Sequence, residues 1–217
     1  MTFKEPVNSL THILGACLSL VALVVLICVA ASKGTAWHVV SFCIYGISLL
    51  ALFTASSLYH SLHVSKKAEA ALERLDHAMI YLLIAGTYTP LCLVVLRGGW
   101  GWSLFGVNWA LAITGIILKL TMRHPSRKVI ATLFTFYILM GWLIVIAWVP
   151  LVRVMPSAAV LWLVLGGIFY TGGTVVLNMK SLKIVPQFGA HELWHLFVLA
   201  GSFSHFWMMY KYIAYLN

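Results

Sequence analysis

Near its C-terminal end the chain reads FGAHELWHLFVLAGSFSHFW, in which His191, Glu192 and His195 spell H-E-x-x-H. On a helix, residues four apart differ by about 40° and lie about 6 Å apart along the axis, so His191 and His195 share a face and can ligate one ion. In many metalloproteases this string supplies two zinc-binding imidazoles and a Glu that serves as general base. The protease reading fails at the third ligand. No Asp or Glu follows Glu192, and Gly201 stands where the extended pattern needs its final His. His205 falls about 21 Å beyond His191 on a continuous helix, too far to reach the same ion.

The third ligand must therefore come from elsewhere, and His60 in TASSLYH is the best placed. Three imidazoles with one open position make a catalytic-type zinc site, because structural sites close all four positions with protein ligands. Asp76, in ERLDHAMIY, would either be the fourth ligand or hold the water at that position and take its proton. Ser56 lies four residues before His60, on the same helical face, where its hydroxyl would support a ligand or meet a substrate. Imidazole donors favour zinc over harder ions, while ligand type alone leaves copper, nickel and iron open.

Each residue also has a plainer reading, since an intramembrane His often bonds only a backbone carbonyl. The pairing of His191 with His195, at one depth with His60 and Asp76, favours the metal. Glu192 points about 100° away from the ligand face, and an acidic residue near a helix N-terminus is favoured by the dipole, so a helix-start role is preferred for it. His63 and His77 read as interfacial polar residues, and His38 and His124 as loop residues.

The elements that position these groups follow from composition. Of 217 residues 62% are hydrophobic and only 9% charged, with a mean hydropathy of +0.98, whereas soluble domains carry about 25% charged residues. The expectation is an all-α polytopic membrane protein, a single domain over residues 1–217 with no room for a soluble one. Apolar runs long enough to cross a bilayer fall at residues 13–31, 39–60, 77–96, 102–121, 129–149, 158–178 and 190–213, giving seven transmembrane helices. The longest connection is SLHVSKKAEAALERLD. The start MTFKEPVNSLTH lacks the features of a cleavable signal, so the first run is read as a retained span.

Lys and Arg favour the cytoplasmic side in short loops. With the N-terminus inside, ten of the fourteen basic residues are inner (Lys4, Lys66, Lys67, Arg74, Lys119, Arg123, Arg127, Lys128, Lys180 and Lys183) and four are outer (Lys33, Arg97, Arg153 and Lys211). That orientation leaves the C-terminus outside and brings His60, Asp76, His191 and His195 to the cytoplasmic ends of three spans. The net charge of +9 reflects this topology; the basic residues lack the aromatic interleaving of a single-strand binder, so nucleic acid is excluded as a partner. Cys17, Cys28, Cys43 and Cys92 lie within apolar runs and read as small buried hydrophobes. The glycines at 86, 115, 141, 166, 167, 172, 173 and 201 read as helix-packing positions, and no inverted repeat is evident.

The stretches EPVNSLTH, SSLYH, LDHAMIYLLIAGTYTP and HELWHLFVLAGSFSHF resemble the hemolysin III branch of the progestin and adipoQ receptor family, which includes the adiponectin receptors and is related to alkaline ceramidases. The resemblance spans residues 5–207 and points to the bacterial branch, hence to the bacterial inner membrane. It implies that His60, His191 and His195 bind zinc near the cytoplasmic face and that Asp76 is linked to the metal through water. The family pattern does not require Glu at position 192. In EPVNSLTH, Glu5, Asn8 and His12 share one helical face. The preferred expectation is a helix-start segment on the inner membrane surface with Asn8 or Ser9 as cap, and the other is a lid beneath the metal site.

The expected function is zinc-dependent hydrolysis of a lipid amide or ester, with a membrane lipid as partner, Asp76 and Ser56 as catalytic groups and the oligomeric state left open. The alternatives are a membrane sensor or homeostasis protein with structural zinc, and the cytolysin that the family name evokes. A secreted toxin must stay soluble before insertion, which so apolar a chain cannot easily do. No charged residue falls near the middle of a span, which ranks a transporter low.

Overall fold

The computed structural model describes residues 3–122, 126–179 and 181–216. Its helices are α1 (Pro6–Lys33), α2 (Ala36–Ser61), α3 (Lys66–Pro90), α4 (Gly99–Thr121), α5 (Arg127–Trp142), α6 (Trp148–Val154), α7 (Ser157–Asn178) and α8 (Ala190–Lys211). A π-helical turn, Leu91–Val95, extends α3, and a 3-10 turn, Leu143–Ala147, joins α5 to α6. Six helical segments among the described residues are long and apolar enough to cross a bilayer: α1, α2, α3 with its extension, α4, α5 with α6, and α7. The 22 residues of α8 rise about 33 Å, a bilayer-spanning length, but its histidines, Glu192 and serines dilute its apolar character. The chain is a multi-pass, all-helical membrane protein. A short antiparallel hairpin, Lys183–Val185 with Phe188–Gly189, leads into α8.

Neighbouring helices close the bundle on itself: α1 packs on α2 and α8, α2 on α3, α3 on α4 and α5, and α7 on α8. The most enclosed is α3, with 72% of its most apolar stretch buried against 28% for α1. The first and last long helices are thus neighbours, which lets the two ends of the chain meet at one site.

Several boundaries differ from the sequence expectation. The stretch expected as the longest connection is mostly helix, because KKAEAALERL consists of strong helix formers and the Ser65 hydroxyl caps it by accepting from Ala68 N–H at 3.4 Å. Asp76 and His77 therefore lie roughly three turns inside α3, not at its mouth. The first helix begins at Pro6, seven residues before the expected start of span 1. His38 is not in a loop. It is buried in the first turn of α2, where Nδ1 accepts from Thr35 N–H at 3.1 Å and Nε2 faces the Ile213 carbonyl at 3.1 Å, tying α2 to the C-terminal turn. His124, Arg123 and Lys180 lie outside the described residues. Cys17 and Cys28 are on the outer surface of α1 and only Cys92 is buried, since an apolar side chain in a membrane helix is as well placed against lipid as in the core.

Most of the glycines do what their placement implies, Gly141 and Gly167 excepted. A Cβ at Gly86, Gly115 or Gly166 would collide with Ser48, Tyr81 or His205 respectively. Gly141 has no atom near its would-be Cβ; it lies where α5 gives way to the 3-10 turn. The backbone groups freed by that change of helix are satisfied by Tyr88, whose hydroxyl donates to the Gly141 carbonyl at 2.9 Å and accepts from Ile144 N–H at 2.8 Å. Tyr88→Phe strands a buried donor and acceptor at once, so a loss of about 1–3 kcal/mol is expected. Thermal unfolding in detergent checks it; an unchanged midpoint would show that Tyr88 is not what holds the break.

Candidate metal centre

The three imidazoles come together. His60 on α2 and His191 and His195 on α8 place one ligand atom each within 4.8 Å of one another. Their ring centroids form an almost equilateral triangle of 5.0, 4.9 and 4.8 Å. His60 Nε2 lies 3.4 Å from His191 Nε2. Two nitrogens held at zinc-ligand distance, about 2.0–2.1 Å, and a tetrahedral angle would be about 3.3 Å apart, so the residues fit a shared tetrahedral ion. Among the described residues this is the group with metal-ligand spacing, and His205 is not part of it.

Hydrogen bonds at the outer nitrogens turn the inner ones to the centre. His60 Nδ1 is 2.6 Å from Glu5 Oε2, so Nδ1–H donates to the carboxylate and Nε2 presents its lone pair. The Thr11 hydroxyl donates to the Val7 carbonyl at 2.8 Å, which leaves its oxygen to accept from His195 Nδ1 at 3.4 Å. His12 stacks on His195, with centroids 3.6 Å apart and rings 12° from parallel, and its other side meets Phe53 edge-on. The hydrogen bond to His60 also pulls the Glu5 carboxyl down to about 2, below the usual carboxylate range.

The N-terminal segment does start a helix, as expected, but with Glu5 at the cap position, and it packs against the triad. Asn8 does not cap α1; it is buried, and its amide donates to Glu5 Oε2 at 2.9 Å and to Glu192 Oε1 at 3.0 Å. The other Glu192 oxygen accepts from Gly189 N–H at 2.8 Å, completing the start of α8. With one oxygen on the helix cap and the other on Asn8, Glu192 has no part to play as a protease base. The common face of Glu5, Asn8 and His12 was legible from their i, i+3, i+7 spacing. What it would pack against was not.

A cavity of about 280 Å³ opens beside the triad between α3, α5, α7 and α8. One end is lined by Ser56, Asp76, His77, Lys119, His191 and His195, and the rest by Leu83, Ile84, Ile138, Trp142, Val198 and similar side chains as far as His205. Asp76 has Ser56 and His60 as polar neighbours and stands outside the three-residue ligand group. His77 lines the wall, with its backbone carbonyl accepting from the Tyr137 hydroxyl at 2.9 Å. At the far end, His205 Nε2 meets the Leu163 carbonyl at 3.3 Å. Lys119, part of this wall, was read from the sequence only as a topological charge.

A helical membrane bundle in which three imidazoles from the second and last long helices converge at the end of an apolar cavity defines a class of polytopic protein with a metal-type centre. The chain belongs to the haemolysin-III-related family, which matches residues 1–206. It is 42% identical to hemolysin-3 of Bacillus cereus over 210 residues, 97% of this chain and 92% of that protein. It is likewise 42% identical to a hemolysin-3 homolog of Bacillus subtilis over 212 residues, 97% and 95% of the two chains. The human monocyte to macrophage differentiation factor is a more distant relative, 28% identical over 181 residues, 82% of this chain and 72% of that one.

Proposed function

We propose that the protein is a zinc-dependent hydrolase of a lipid amide or ester, set in a bacterial inner membrane with seven spans, the N-terminus and the metal centre on the cytoplasmic side and the C-terminus outside. The observation that carries this reading is the meeting of the convergent triad with the polar end of an otherwise apolar cavity. A bound zinc ion would act as a Lewis acid and lower the pKa of water at its open position to about 7. His60, His191 and His195 would hold it, with Nε2 of His60 directed inward by Glu5 and that of His195 by Thr11. Asp76, outside the ligand group yet beside His60, is placed to orient the attacking water and accept its proton. Ser56 is placed to donate a hydrogen bond to the oxyanion that develops on the scissile carbonyl. The apolar walls of α3, α5 and α7 would receive an acyl chain and exclude water, and the apolar outer surfaces of these helices let a lipid arrive from the bilayer. The apolar lining, aliphatic and aromatic, favours a long-chain N-acyl lipid over a water-soluble amide.

The test is hydrolysis of long-chain ceramides and other N-acyl lipids by the purified protein in lipid nanodiscs. Turnover that disappears on chelation and returns with zinc is the expected result. Absence of turnover from fully metallated protein across neutral and charged N-acyl and O-acyl lipids would overturn the hydrolase reading and leave the triad with a structural role.

A further inference from the structure

The residues that orient the triad come from a helix that supplies no ligand. All the outer-nitrogen partners described above, Glu5 and Thr11, belong to the first two turns of α1 and the residue before it, and His12 of the same segment covers His195. Glu5 is the charged member. It is held from three sides: its N–H donates to the His60 carbonyl at 3.0 Å, Asn8 donates to the same Oε2 that meets His60, and Lys4 Nζ lies 3.7 Å from Oε1; Asn8 also reaches Glu192 on α8. One residue earlier, Lys4 N–H pairs with the Ser61 carbonyl at 3.4 Å, and Lys4 Nζ meets Glu69 Oε1 at 2.8 Å while lying 4.2 Å from the Tyr59 ring centre. Residues 4–8 therefore form a strap across the ends of α2, α3 and α8, clasped on its outer side by Lys4 and on its inner side by Glu5.

We propose that Glu5 is the positioning residue of the metal centre: through His60 Nδ1 it fixes the ring and raises the basicity of Nε2, and so sets how tightly and for how long the triad holds its metal. The inference rests on the reading of the triad as a metal site. A carboxylate on the far nitrogen of a ligating imidazole stabilises positive charge that the ring acquires on coordination, and loss of such a partner typically costs 10–100-fold in metal affinity. The short 2.6 Å contact and the backbone bond that pins Glu5 to the same residue it orients distinguish it from an incidental surface pair.

The experiment compares wild type, Glu5→Gln and Glu69→Gln by chelator competition for zinc, by the rate of zinc release, and by the visible absorption of the cobalt-substituted proteins, with thermal unfolding of each metal-free form as the folding control. In Glu5→Gln, a 10–100-fold weaker affinity, faster release and a shifted cobalt spectrum are expected. Glu69→Gln, which opens the outer clasp at Lys4 but leaves every contact of Glu5 in place, should bind as wild type does. Equal losses in both variants would overturn the proposal by showing that the strap acts only as a structural whole. Unchanged affinity in a folded Glu5→Gln would overturn it directly. If folded wild type bound neither zinc nor cobalt, the metal reading itself would fall, and this inference with it.

Discussion

Replacing His60 with alanine is expected to reduce bound metal from about one ion per chain to none that survives purification. Only His60 brings a ligand from α2, so its loss leaves two imidazoles of one helix, a pair that fills half of a tetrahedral shell. The same change removes the short hydrogen bond to the Glu5 carboxylate, which is left with Asn8 and Lys4 as its partners. Metal that binds the folded state stabilises it by about 4 kcal/mol at a thousandfold excess over Kd, so zinc should raise the unfolding temperature of wild type and have no effect on His60→Ala. The matched control is His205→Ala. That residue is also a buried intramembrane histidine, but it bonds the Leu163 carbonyl and lies against the backbone of Gly166, so its replacement should lower stability while zinc still stabilises the protein. Loss of the zinc effect in both variants would contradict the assignment of the site to the triad.

The second large effect concerns Asp76. Because its carboxylate stands outside the ligand group, Asp76→Asn should keep the metal while hydrolysis falls by about 10²–10⁴-fold, the usual contribution of a positioned general base. Asparagine is nearly isosteric and can still bond Ser56, so packing between α2 and α3 should survive. The pairing of readouts is what makes the result informative. Metal lost together with activity would make Asp76 a ligand, and turnover equal to wild type would remove it from the mechanism. Ser56→Ala is expected to show a milder defect in turnover, since on the proposed mechanism it withdraws one hydrogen-bond donor to the oxyanion.

What the sequence disclosed and what it hid divide along physical lines. The membrane class and the meeting of the three histidines were legible because both rest on spacing: apolar runs of bilayer length, and histidines four apart that need a third from another helix to complete a metal site. The start of α3 was not, because charged residues in KKAEAALERL end an apolar run without ending a helix; hydropathy locates the bilayer, while propensity and capping locate the helix. The role of EPVNSLTH was hidden for a related reason. Its periodicity fixed one face, but whether that face met water or His60 and His195 depended on α1 packing against both α2 and α8, a fact of tertiary packing. Glu192 shows the converse hazard, since a string with a familiar chemical meaning had its Glu committed to Gly189 and Asn8. The break between α5 and α6 is signalled by Gly141 and by Pro150, which cannot donate to the carbonyl four residues earlier, but the residue that stabilises it, Tyr88, is over fifty positions away.

The central claim, that these three imidazoles hold a metal ion, is tested most directly by the metal content of the purified protein. Mass spectrometry of wild type beside a His191→Ala/His195→Ala double variant should find about one zinc per chain in the first and none in the second. Folded wild type that carries no metal, even after zinc is supplied, would contradict the account.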